Sequence, residues 1–196
     1  MEIIRAKHMG FCFGVSGAIE TCYNVLKEPE NSEKKIYILG MLVHNEYVVK
    51  KLEKEGFEII EEEDILEKKD KLKDGDIVII RAHGTSEKVY NILKKKNIKI
   101  YDATCIFVTQ IRKTLIEMES KGYEILFVGD KEHPEVKGII SFGKNIRVFK
   151  NLEEITNAEI DRDKKYCLLT QTTLNKKILE KIKSFLENHY SNVKIS

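Results

Sequence analysis

Two cysteines and three histidines occupy loop positions in this chain where their side chains could do chemistry. Cys12 sits in Gly10-Phe11-Cys12-Phe13-Gly14-Val15, and Cys105 in Asp102-Ala103-Thr104-Cys105. Glycines beside Cys12 permit a sharp turn that leaves the thiol open to a ligand. Cys105 precedes an apolar helical pattern, so its sulfur is expected near a helix N-terminus, where the dipole favours the metal-binding thiolate. The histidines are His44 in Val43-His44-Asn45, His83 in Arg81-Ala82-His83-Gly84-Thr85, and His133 in Gly129-Asp130-Lys131-Glu132-His133-Pro134-Glu135. A sixth polar loop is Thr170-Gln171-Thr172-Thr173. One such histidine is most often an ordinary hydrogen-bonded loop residue; three in equivalent positions argue for a shared site. His8 and His189 lack this context and read as surface residues. Zinc is weakly supported, since no C-x-x-C or H-x-x-x-H element is present and ligands this far apart must converge through the fold. A single nucleophilic cysteine also stays open. There is no Walker-type loop, no G-x-G-x-x-G fingerprint and no aromatic RNA-stacking strand.

The elements that must position these loops follow a repeated rhythm of apolar run, polar loop and helical pattern. The runs are Ile3–Ala6, Ile36–Leu39, Ile77–Ile80, Ile98–Tyr101, Ile125–Val128, Ile146–Phe149 and Cys167–Leu169. Several are continuous rather than alternating, as in strands buried on both faces. Between them, Tyr47, Val48 and Leu52 are expected on one helix face. The same holds for Val89, Ile92 and Leu93, for Ile111, Leu115 and Met118, and for Ile178, Ile182, Phe185 and Leu186. Strand–helix alternation predicts an α/β protein with parallel sheets, in which ligands bind beyond the carboxyl ends of the strands. Glu61 to Gly75 reads as a charged connector with a short helix, and Asp74-Gly75-Asp76 as a turn. The rhythm restarts near Asp102, which predicts two consecutive small domains, residues 1–101 and 102–196.

Bulk properties exclude several classes. The 34 basic and 32 acidic residues leave a formal charge of +2, too balanced for a nucleic-acid surface. Lysines mostly alternate with glutamates, as on solvated helix faces. No apolar run reaches membrane-spanning length, and Met1–Ala6 reads as a strand rather than a signal sequence, so the expectation is a cytoplasmic protein. Structural disulfides are then not expected, and Cys22 and Cys167, inside apolar stretches, read as small buried hydrophobes.

Taken in order and spacing, Gly-Phe-Cys-Phe-Gly-Val, Val-His-Asn, Ala-His-Gly, Asp-Ala-Thr-Cys, His-Pro-Glu-Val and Thr-Gln-Thr-Thr-Leu resemble the motifs of 4-hydroxy-3-methylbut-2-enyl diphosphate reductases. Each is weak alone; six in register span essentially the whole chain. The resemblance implies three α/β domains in a trefoil around a 4Fe–4S cluster held by three cysteines, with one iron open to substrate. By motif, Cys12 and Cys105 match the first two ligands. Thiolates suit such a cluster. The implied substrate is an allylic alcohol bearing a diphosphate. The implied reaction removes the hydroxyl as water, with two electrons and two protons, giving isopentenyl and dimethylallyl diphosphates in the last step of the non-mevalonate pathway. His44, His83 and His133 match histidines at the diphosphate site, and Glu135 matches the proton donor. Thr172 matches the threonine near the substrate hydroxyl, with Thr173 beside it as a substrate contact. Electrons are expected from a ferredoxin or flavodoxin-type donor; neither nucleic acid nor membrane is an expected partner.

The chain departs from the family pattern at Ile106, where Pro is usual, and at Asn175, where Ser is frequent. The third cysteine motif has no counterpart, so a missing third domain and an incomplete ligand set are expected. Neither Cys22 nor Cys167 lies in a matching motif. The competing readings are an inactive anion- or metal-binding paralogue and a zinc-dependent hydrolase.

Overall fold

The structure, a computed structural model, describes residues 4, 9–67, 69 and 71–195. The expected strand Ile3–Ala6 and the His8 reading lie outside the described residues.

The first half runs α1 (Phe13–Lys27), a 3-10 turn at Pro29–Asn31, β1 (Ile36–Leu39), α2 (Glu46–Lys54), β2 (Glu58–Ile60), α3 (Glu62–Leu66), β3 (Ile77–Ile80), α4 (Glu87–Lys95) and β4 (Lys99–Asp102). The second runs α5 (Ile106–Ser120), β5 (Glu124–Val128), α6 (Pro134–Ile140), β6 (Ile146–Phe149), α7 (Leu152–Thr156), β7 (Tyr166–Thr170), α8 (Lys176–His189) and β8 (Val193–Ile195). The strands form two four-stranded sheets ordered β2-β1-β3-β4 and β6-β5-β7-β8. Every strand pair is parallel, as an α/β fold requires. The two halves thus repeat one plan element by element: a 15-residue helix, then four strands with three intervening helices in the same spatial order.

Continuous apolar runs make the central strands. β1 and β3 are buried along their whole length, because helices cover both faces of the sheet. Ile36, Ile38, Ile77 and Ile79 meet Ala18, Cys22 and Val25 of α1 and Val48 and Leu52 of α2. The alternate residues Tyr37, Leu39, Val78 and Ile80 meet Ile65 and, from α4, Val89 and Leu93. In the second sheet Ile125, Phe127, Cys167 and Leu169 face α5 and α6, while Leu126, Val128, Tyr166 and Leu168 face α7 and α8. Each buried Ile, Leu or Phe contributes about 1.5–3 kcal/mol of transfer free energy.

Several expectations need correction. β2 and β8 fall outside the expected runs. Each has three residues, lies at a sheet edge and is interrupted by charge (Glu58, Lys194), so neither makes an apolar run. Tyr47 does not share the buried face of α2: it is 78% exposed, because adjacent residues stand about 100° apart on a helix and Val48 takes the inward position. Ile178, in the first turn of α8, is also exposed. Cys22 and Cys167 are fully buried, and burial pushes their thiols up to about 12 and about 11, so both stay protonated. His189 is exposed and stacks on Phe185.

Candidate active site

In each sheet the chain leaves the first strand toward one edge and returns to the other side of that strand. The crevice at such a reversal, beyond the carboxyl ends of the two central strands, is where α/β sheets bind ligands. His44 follows β1 and His83 follows β3, so both stand at the reversal of the first sheet. His133 follows β5 and Thr172 follows β7, at the reversal of the second.

The two reversals face each other. The ring centroids of His44 and His83 lie 4.6 Å apart, those of His83 and His133 5.6 Å, and those of His44 and His133 6.0 Å. Three imidazoles from loops 39 and 50 residues apart therefore form one cluster (83 − 44 and 133 − 83). Local chemistry holds each loop. Asn45 caps α2 by accepting from the Val48 N–H at 3.2 Å, which places His44 immediately before the cap residue. The His83 loop is anchored by Arg81, whose Nε donates to the Gly84 carbonyl at 3.3 Å and whose guanidinium pairs with Glu62. Glu62 accepts from Ser86 Oγ at 2.7 Å. His133 caps α6 through Nδ1, which accepts from the Glu135 N–H at 3.1 Å. An accepting Nδ1 leaves any ring proton on Nε2, as a donor on the far edge.

Burial holds His83 down at about 4, from an ordinary 6.5, with the His44 and His133 rings and the Arg81 guanidinium adding to the effect. At neutral pH it is an uncharged imidazole. A dianionic ligand among these rings would favour the charged form and reverse that shift.

Glu135, the second residue of α6, is 1% exposed. Its carboxyl has a dedicated partner across the second reversal: Thr172 N–H donates to Oε1 at 2.7 Å, and Thr172 Oγ to Oε2 at 2.7 Å. Thr173 accepts from Gln171 Nε2 at 3.1 Å, while Gln171 Oε1 accepts from Asp130 N–H at 3.1 Å. Gln171 and Arg81 were visible in the motifs, but their loop-bracing roles carry no sequence signal beyond polarity beside a histidine or threonine. An apolar groove of about 420 Å³, lined by Phe107, Gln110, Ile111, Thr114 and Leu169, opens beside Thr172.

The two loop cysteines end at equivalent points of the repeat. Cys12 is the residue before α1, and Cys105 the residue before α5, both with extended backbone and free thiols. The Cys105 loop is held in place by its N–H to Ala82 O (2.9 Å) and by Asp102, whose Oδ1 accepts from the Thr104 N–H at 3.0 Å and from the Thr104 hydroxyl. Around the thiols the surface is apolar: Phe11, Phe13, Ile106 and Phe107 are each at least half exposed. Among the described residues no three or more His, Cys, Asp or Glu are grouped to hold a metal ion by themselves. Two free thiols at equivalent helix starts fit part of the ligand set of an iron–sulfur cluster. No helix among the described residues is long and apolar enough to cross a membrane.

Comparison with known proteins gives a consistent picture. A 4-hydroxy-3-methylbut-2-enyl diphosphate reductase of Fusobacterium nucleatum is 53% identical over 195 residues, covering all of this chain and 23% of that protein. The reductase of the same name from Thermoanaerobacter sp. is 43% identical over 188 residues, 93% of this chain and 62% of its own length. Among solved structures, the E-1-hydroxy-2-methyl-but-2-enyl-4-diphosphate reductase of Plasmodium falciparum superposes with a TM-score of 0.85 at 34% identity, over 97% of this chain and 57% of that one. An (E)-4-hydroxy-3-methyl-but-2-enyl diphosphate reductase, described as the terminal enzyme of the non-mevalonate pathway, gives 0.82 at 33% identity, over 99% and 66%. The chain thus spans less than two thirds of each of these relatives. The LytB protein family model matches residues 3–196, and with that match the chain belongs to the LytB family.

Proposed function

We propose that this chain forms the larger part of a reductive dehydroxylation site for 4-hydroxy-3-methylbut-2-enyl diphosphate, in which Cys12 and Cys105 ligate a 4Fe–4S cluster. The observation that carries the reading is the bond pair between buried Glu135 and Thr172, opposite a cluster of three histidines. It joins an anion-binding surface to a proton source, which is what loss of a hydroxyl from a diphosphate ester requires. When bound, the cluster supplies electrons and an open iron for the hydroxyl oxygen. The third thiolate of such a cluster is not assigned to any residue of this chain.

The chain's own residues then do the following. His44, His83 and His133 donate N–H groups to the diphosphate, and its charge opposes the lowering that burial imposes on His83. Glu135 is the proton source: a proton passes from it through the Thr172 hydroxyl to the departing oxygen, which leaves as water. A Thr hydroxyl is donor and acceptor at once, so it can receive a proton from one side while passing one on from the other. Thr173 contacts the substrate beside it. The electrons come from a ferredoxin or flavodoxin-type carrier, and the protein works in the cytoplasm.

The test is anaerobic reconstitution of the chain with iron and sulfide, followed by iron and acid-labile sulfide analysis and a visible spectrum. A Cys12→Ser, Cys105→Ser double variant runs beside it. Broad visible absorbance on the parent chain and its loss in the double variant support the ligand assignment. Equal iron and sulfide in both proteins sink it, as does stoichiometric zinc that resists both substitutions.

A further inference from the structure

Gly14, in the first turn of α1, has backbone angles that any residue adopts; it is not among the positive-φ glycines. What sets it apart is its neighbour. A Cβ built on Gly14 would lie 2.7 Å from Cys105 Sγ and 3.1 Å from Cys105 Cβ. The thiol of the second half therefore rests against the bare Cα of the helix that Cys12 begins.

The internal repeat shows that helix capping does not demand a glycine here. Cys12 and Cys105 have similar cap angles (φ −66°, ψ 164° and φ −54°, ψ 138°), and each starts a 15-residue helix. Two residues after Cys12 stands Gly14; two residues after Cys105 stands Phe107, 64% exposed. The same helical position accepts the bulkiest of side chains where no thiol lies against it. Gly17, one turn further along α1, has nothing within 4 Å of a built Cβ. Helix propensity favours Ala over Gly at both positions. Only at Gly14 does a methyl group collide with the Cys105 thiol.

We propose that Gly14 is a positioning residue that brings the Cys105 thiol against the first turn of α1, two residues from Cys12, so that the two thiols serve one site. Its purpose rests on the cluster reading of Cys12 and Cys105; its geometry does not.

The experiment compares the parent chain with Gly14→Ala and Gly17→Ala. The reduced proteins are alkylated with iodoacetamide, and peptide mass spectrometry follows Cys12 and Cys105 separately. Buried Cys22 and Cys167 serve as internal controls of folding. Thermal melts and reconstituted iron are measured on the same samples. In Gly14→Ala the Cys105 alkylation rate is expected to change by about threefold or more as its surroundings shift. Iron uptake should fall below about half of the parent value, while the melting temperature holds or rises. Gly17→Ala should match the parent in both thiol rates and in iron. An unchanged Cys105 rate in Gly14→Ala overturns the proposal. So does a Gly14→Ala protein whose Cys22 and Cys167 become reactive, which would make Gly14 a residue of the fold at large. If the parent binds no iron but Gly14→Ala still shifts the Cys105 rate, the spacing contact stands and the cluster reading fails alone.

Discussion

Glu135 is 1% exposed, and both of its carboxyl oxygens are occupied by Thr172. Replacing Thr172 with Val keeps the shape but removes the hydroxyl from a buried carboxyl. The expected loss is about 1–3 kcal/mol in urea unfolding of this chain. In a whole reductase of the family, Glu135→Gln should lower kcat by about 100-fold or more with little change in KM, since a proton donor acts in the chemical step and not in binding. A KM effect with unchanged kcat would reassign Glu135 to substrate binding. His83 makes a different prediction. Its folded value of about 4 lies below the ordinary 6.5, so between these limits the unfolded chain binds more protons than the folded one. Stability contributed by neutral His83 is complete above pH 6.5 and is lost as the pH falls toward 4. Urea midpoints across that range should decline in the parent and decline less in His83→Asn. By NMR, inorganic diphosphate should move the His83 titration upward, and an unmoved titration would argue against an anion at these rings.

At the level of elements, the chemistry hangs on helix starts. Cys12, Cys105 and His133 each stand immediately before a helix, and His44 stands one residue earlier. A helix start is locally encoded, by a polar loop followed by apolar periodicity, and that signal marked Cys105; Cys12 was marked by its glycines and the histidines by their places after apolar runs. The Asn45 cap gives the scale of the local contribution: Asn45→Ala should cost about 1 kcal/mol of stability. It should also perturb the His44 resonance more than that of His133, which an NMR spectrum of the variant checks. Edge strands show the opposite case. β2 and β8 hold three residues each with a charge among them, and their strand character comes from pairing with β1 and β7. Pairing is a tertiary event with little local signature. Tyr47 is likewise apolar and periodic enough to suggest burial, yet it is left exposed on its side of α2 among the described residues.

Across the whole molecule, the two halves meet along a seam that also fixes the site. The Arg112 guanidinium of α5 lies 5.4 Å from the ring of Tyr90 of α4, 4.9 Å from the Phe142 ring and 3.8 Å from the Asp102 carboxylate that ends β4. A cavity of about 430 Å³ lies along this seam, bordered by Glu87, Asn91 and Ile100 and away from the histidines. Glu87 N–H donates to Ser141 Oγ at 2.9 Å, tying α4 to the end of α6. Arg112→Ala should destabilise the chain by about 1–2 kcal/mol, through lost cation–π contact and an Asp102 left with fewer partners. Hydrogen exchange at Thr104 and Cys105 should quicken in that variant more than at the β5 or β7 amides. Uniform acceleration would mean that the seam contributes global stability alone.

Cys12, Cys105 and the three histidines stood out in the chain because short apolar runs, glycines and helix starts are local patterns with local causes; Glu135 and Thr172 were singled out only by the resemblance of their motifs to the family's. The parallel α/β class was legible for the same reason, since strands buried on both faces must be continuously apolar. Strand order was not, because β1 and β3 pair through contacts about 40 residues apart that no local pattern records. That order puts His44 and His83 at one reversal and His133 and Thr172 at the other. The approach of the halves then brought three rings within 6.0 Å, while the strand order of the second sheet closed Thr172 onto Glu135. It also gave Gly14 its meaning: in the sequence it is one glycine beside a cysteine, and only the fold sets the Cys105 sulfur against it. Residue types and helix starts follow from short-range sterics and hydrogen bonding; the distances between loops follow from how two separately buried cores dock.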